Sequence, residues 1–149
     1  MDVSEDILEE LAIEIREIQA ILKEVMGKIV QSPMKEMSLY ENFGQVIDRL
    51  YGTAATLQFV EIANYCKMMK EITYKCGQSD NEKGIEKCTR MMLDCIKYLE
   101  ALAGCIHNPE EFKKIRYSMH VEIAKGDRLT RSYFFSIKRT SCEVEKKAS

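Results

Sequence analysis

The chain has 149 residues, 46% hydrophobic and 31% charged, with a formal net charge of −2. That length suits one domain whose core needs no disulfide support, and the composition excludes collagen-like, low-complexity and charge-dominated disordered classes. No apolar run approaches the roughly 20 residues that cross a bilayer, so no membrane-spanning helix is expected.

The clearest periodic signal comes first. Ser4 is placed to cap a helix whose first turn carries Glu5 and Asp6. Leu8, Leu11, Ile15, Ile18, Leu22, Val25 and Ile29 follow at alternating spacings of three and four, one unbroken apolar seam. A seam of this kind can pair between chains, but the flanking charges do not alternate cleanly, which favours burial within a bundle. Ser32-Pro33 ends the helix, because the residue before proline avoids the helical region.

A second helix is expected to begin between residues 33 and 38 and to run to about Leu57, with Leu39, Phe43, Val46, Ile47, Leu50, Ala54 and Leu57 inward. A break near Gln58 precedes a third helix over residues 59–75, with Ile62, Ala63, Cys66, Met69, Ile72 and Thr73 inward. Cys76-Gly77 and the polar run behind it predict a glycine-capped helix end. The fourth helix covers residues 81–106, where Ile85, Cys88, Met92, Cys95, Ile96, Leu99, Leu102 and Ala103 keep the period. His107-Asn108-Pro109 is the next break.

Beyond Pro109 the pattern predicts a helix over residues 110–125, with Phe112, Ile115, Met119 and Ile123 on one side. Gly126-Asp127 reads as a turn, and residues 133–137 as a helical extension or a short strand. Short connections favour antiparallel neighbours. The expected fold is therefore all-α: an antiparallel four-helix bundle over residues 1–107, an accessory C-terminal helical segment over 108–142 packed on it, and a disordered tail over 143–149.

Charge and cysteine usage narrow the chemistry. Acidic residues dominate positions 1–110 and basic residues dominate 111–149, so the two parts can attract each other or the basic end can meet an acidic partner. A solvated face is the simpler use of that basic end. Glu122 and Asp127 interrupt the run from Lys113 to Arg139, and no nucleic-acid partner is expected. The acidic N-terminus lacks the pattern of a signal peptide. A cytoplasmic location is expected, with reduced thiols at Cys66, Cys76, Cys88, Cys95, Cys105 and Cys142. Cys88 and Cys95 share a helix face and read as small core residues. No Cys-x-x-Cys, Glu-x-x-His or phosphate-binding glycine loop occurs, so neither a metal nor a cofactor is expected and an enzyme is disfavoured.

One helical face stands out. Around Asp48 lie Gly44, Tyr51, Gly52 and Ala55 on one side and Gln45 on the other. Each glycine costs about 1 kcal/mol relative to alanine inside a helix. Keeping two of them implies bare backbone, either for a helix packing closely or for a partner docking from outside. The phase of Asp48 lies away from Phe43, Leu50 and Leu57, toward solvent.

From Asp48 through Arg49, Leu50, Tyr51, Gly52, Thr53, Ala54, Ala55 and Thr56 to Leu57-Gln58, and on into Val60-Glu61-Ile62-Ala63-Asn64-Tyr65-Cys66, the chain resembles the histidine phosphotransfer (HPt) domain family. The pattern there is His-x-x-Lys-Gly, small residues, then a Leu-Gly-type break before the next helix. The resemblance covers roughly residues 4–106 and implies an antiparallel four-helix bundle. Asp48 stands where the family has its phosphorylated histidine, and Tyr51 where it has a lysine that balances the phosphoryl charge. Gly52 and Ala54 match. An aspartate there would lack the lysine and metal that stabilise an acyl phosphate. Neither His107 nor His120 restores the motif; after His120 the Lys-Gly pair comes two residues too late.

The resemblance thus implies a non-catalytic module that docks a response-regulator receiver domain or a histidine kinase in a two-component phosphorelay. Gly44, Asp48, Tyr51, Gly52 and Ala55 would form the docking face. The alternative is a structural or assembly bundle without a signalling role, pairing through the seam from Leu8 to Ile29. Monomer and homodimer both stay open.

Overall fold

In the computed structural model, residues 4–137 are described. The expected tail over 143–149, the last residues of the 108–142 segment and Cys142 lie outside them. The described residues form five α-helices and no strand.

Helix α1 (Glu5–Gln31) starts where its capping chemistry dictates, the Ser4 hydroxyl oxygen accepting from the Ile7 N–H at 3.3 Å. Leu11, Ile15, Ile18, Leu22 and Val25 of its seam are buried, and Leu8 and Ile29 pack at the edges of the core. The seam is therefore covered by the chain itself. Helix α2 (Met37–Thr56) begins after the Pro33 break, with Tyr40, Phe43, Ile47, Leu50 and Ala54 inward. Helix α3 (Val60–Gln78) follows after three residues, and α4 (Glu82–Gly104) after three more. Asn81 caps α4 and Asn108 caps α5 (Pro109–Tyr133), each side chain accepting from a backbone N–H three residues on. Pro109 sits in the first turn of α5, where its missing N–H costs nothing.

Helix α1 packs on α2 and α4, α2 on α3, α3 on α4, and α5 lies across α3 and α4. Among the described residues no Cα–Cα approach within 8 Å joins α1 to α3 or α2 to α4, although the Tyr40 and Thr89 side chains meet between α2 and α4. Side chains explain these pairings. Gln19 donates to the Ile96 carbonyl and Arg16 to that of Ala103, tying α1 to α4. Glu14 and Glu17 hold Arg49, and Glu14 accepts from the Thr53 hydroxyl, tying α1 to α2. Helix α5 contributes Phe112, Met119 and Leu129, and Phe134 follows its end into the same core.

The turn expected from Cys76-Gly77 and the polar run behind it falls within that run, at residues 79–81, without Gly77 as its left-handed cap, and the turn expected at Gly126 is absent. Gly77 is buried inside α3, where a Cβ would stand 3.2 Å from that of Tyr40. Gly126 is buried inside α5 against the Met68 side chain, and the helix runs through to Tyr133 instead of stopping near Lys125. The residues after Tyr133 form neither a longer helix nor a strand as far as Ile137. No described helix is long and apolar enough to cross a membrane.

Candidate functional site

The turn between α2 and α3 is built by backbone hydrogen bonding. The Phe59 N–H donates to the Ala54 carbonyl at 2.9 Å and the Gln58 N–H to that of Ala55 at 3.2 Å. These two bonds close a Schellman motif, which needs a left-handed residue at Gln58; its φ is 65°. The motif reverses the chain, so α3 returns along α2. Met37 and Tyr40 then meet Gly77, Gly44 meets Thr73, and Asp48 meets Lys70.

Asp48 lies between the two helices with its side chain 45% exposed. Its Oδ1 stands 3.3 Å from Nζ of Lys70, whose own side chain is only 10% exposed. The lysine that the sequence motif lacks on α2 is thus supplied to this carboxylate from α3, which corrects the expectation that Asp48 stands without one. The pair places a positive charge beside a carboxylate whose other side remains open to solvent. Burial of one partner strengthens such an attraction relative to two exposed charges.

Of the five residues expected to form one bare face, four line the outer side of α2. Gly52 and Ala55 are exposed, and a Cβ at Gly52 would meet nothing within 4 Å. Tyr51 is half-buried, its ring packed on the edge of the core. Gly44 does not belong to this face. It is buried, and a Cβ there would come within 2.9 Å of the Thr73 Oγ1 and 3.5 Å of the Lys70 carbonyl oxygen. Its bareness serves the approach of α3; that of Gly52 faces solvent. The Thr73 hydroxyl is itself fixed, bonding the Met69 carbonyl at 2.8 Å and the Lys70 carbonyl at 3.1 Å.

Lys70 is the residue that reading the sequence missed. It lies four residues after Cys66 and three before Thr73, on the inward side of α3. A lysine on that face is a signal of a buried partner, but only the hairpin register identifies the partner as Asp48.

Beside the face, Arg49 bridges Glu14 and Glu17 of α1, and its guanidinium is held further toward the charged form first by the Glu17 hydrogen bond. A shallow depression lined by Ile7, Glu10, Glu14, Gly52, Thr53 and Leu57 adjoins Gly52. Beneath the hairpin, Cys66 is fully buried. Burial first, and then the neighbouring Cys95 and Asp48, push its thiol well above the usual range, so it stays protonated and unreactive. Among the described residues no three His, Cys, Asp or Glu side chains converge as a metal site. Comparisons with protein-family models, with curated proteins and with solved structures returned no match.

Proposed function

We propose that this chain is a non-catalytic HPt-like docking module of a two-component phosphorelay, whose partner is a response-regulator receiver domain or a histidine kinase. In this reading α1–α4 form an antiparallel four-helix bundle and α5 braces it from outside. The ring of neighbours, α1 on α2, α2 on α3, α3 on α4 and α4 on α1, supports that arrangement. A cytoplasmic setting suits four buried free thiols.

The observation that carries the reading is the half-exposed Asp48 on the α2–α3 hairpin, with exposed Gly52 and Ala55 beside it. A partner can approach the backbone closely there, and a carboxylate offers a fixed charge in place of a transferable imidazole. The Lys70 ion pair holds that carboxylate in one position and makes it a poorer nucleophile than a free one.

The test is a spectroscopic titration of the full chain with receiver domains, with and without a phosphoryl label. Docking predicts shifts confined to residues 44–62. Gly52→Arg should abolish them while leaving the fold intact, because the site around Gly52 is open. Stable label on the chain would overturn the non-catalytic reading; no perturbation by any receiver or kinase would remove the docking reading. A tight homodimer in sedimentation, unaffected by Gly52→Arg, would favour an assembly bundle pairing through some surface other than the α1 seam.

A further inference from the structure

Helices α4 and α5 line a groove of about 510 Å3 that contains none of the residues assigned to docking. Its two walls repeat one pattern: Lys87, Arg90 and Met91 on α4, and Lys125, Arg128 and Leu129 on α5. Spacings of three and four put each set on one helix face. Met91 and Leu129 are buried and form an apolar floor, while all four cations are exposed at the rim. Tyr133 lines the groove near Lys87, whose Nζ stands 5.3 Å from the ring centroid. Asp94 is the one carboxylate in the lining.

Like charges gathered around one depression repel one another unless something neutral or negative lies between them. Intrahelical partners answer only part of this. Arg90 meets Glu86 at 2.9 Å and Lys125 meets Glu122 at 3.3 Å. Arg128 pairs with no described carboxylate. The Arg90–Glu86 pair is exposed and gives way readily to a stronger anion, whereas the Glu122 carboxylate is buried and also accepts from the Tyr98 hydroxyl, so Lys125 stays partly engaged. Arginine presents a planar fork suited to phosphate oxygens, and lysine a mobile point charge. The α4 wall of the groove, from Lys87 to Asp94, is eight residues, about 10 Å along the helix, too short to seat a helical peptide. The groove also falls within the roughly 300–1,000 Å3 typical of small-ligand sites.

We propose that the α4–α5 groove binds a small polyphosphate of nucleotide size, its phosphates held among Lys87, Arg90, Lys125 and Arg128 over the Met91–Leu129 floor. The site stands independently of the docking face.

Amide spectra of the full chain, titrated with ATP, inorganic triphosphate, adenosine and an acidic glutamate peptide, test this. ATP and triphosphate should both shift residues 87–94 and 125–133, with affinity falling as salt is raised. ATP binding more tightly than triphosphate would assign the Tyr133 end to the base; equal binding would show that the phosphate chain alone is recognised. Arg128→Ala should weaken either ligand at least about tenfold, as loss of a charged hydrogen-bond donor does. Arg131→Ala, which removes a neighbouring cation paired with Asp127 outside the groove, should leave affinity within about twofold. The proposal fails if ATP and triphosphate cause no shift up to about 1 mM. It also fails if adenosine binds as tightly as ATP, if only the peptide binds, or if Arg128→Ala leaves affinity unchanged.

Discussion

Gly44 and Gly52 sit two helical turns apart on α2 and answer to different neighbours. Space around Gly52 is open, so Gly52→Ala gains helix propensity with no clash and should raise stability by about 1 kcal/mol. Gly44→Ala drives a methyl against the Thr73 hydroxyl, and the expected outcome is a loss of about 1–3 kcal/mol. Urea midpoints of the two variants check the contrast, and a stabilised Gly44→Ala would mean that α3 yields there. Gln58 is the other backbone position with a defined demand. A left-handed conformation costs a non-glycine residue roughly 1–2 kcal/mol, partly offset by the extra entropy glycine has when unfolded. Gln58→Gly should therefore stabilise the chain by about 0.5–1 kcal/mol, and lowered stability in thermal melts would show that the Gln58 side chain contributes contacts of its own.

At the scale of elements, helix starts and helix packing are set by different groups. Asn81 and Asn108 each satisfy one otherwise orphaned backbone N–H. Replacing either by alanine should cost about 1 kcal/mol, with faster amide exchange confined to the first turn of α4 or of α5. Exchange that quickens throughout the helix instead would mean that the cap carries more than its own turn. The cap at Ser4, the approximate starts of α4 and α5 and the inward faces of α1 to α4 were legible in the sequence, because capping and periodicity are local properties; that Asn81 and Asn108 serve as caps was not read from it. The end of α3 lies within a few residues of its expected place; the end of α5 was not legible. Glycine is a turn signal only when its backbone takes a left-handed conformation, and no described glycine does. Gly77 and Gly126 are instead places where a neighbouring helix comes too close for a side chain.

For the whole molecule, the reach of the single core decides stability. Phe112, Met119, Leu129 and Phe134 are buried in it, so a chain ending at His107 exposes the surface of α3 and α4 that α5 covers. Losing several large apolar side chains costs more than about 3 kcal/mol, and the truncated chain should unfold at clearly lower denaturant. An unchanged midpoint would make α5 a separable attachment. Buried acids set the response to alkali. Burial, the largest cause, pushes Cys95 up to about 12, and burial with the neighbouring Glu122 does the same for Tyr98. Both groups are neutral when protonated and have folded values above their ordinary 9.0 and 10.0. Their contribution to stability is complete below the ordinary values and is lost as pH rises through about 12. Helix content followed by circular dichroism in moderate urea should hold up to about pH 9 and fall beyond it. Cys95→Ala should flatten that fall, and a profile as steep as the parent's would place its origin elsewhere.

The sequence by itself determined that the described residues are helical, roughly where the helices begin and which faces turn inward. All of these depend on residues within a few positions of one another. Only the tertiary structure decided that Gly44 serves packing while Gly52 faces solvent, that Lys70 supplies a charge beside Asp48, and that cations of α4 and α5 line one groove. Those facts join residues more than 20 positions apart. They depend on the register of one helix against another, and that register is set by side-chain packing across the whole core.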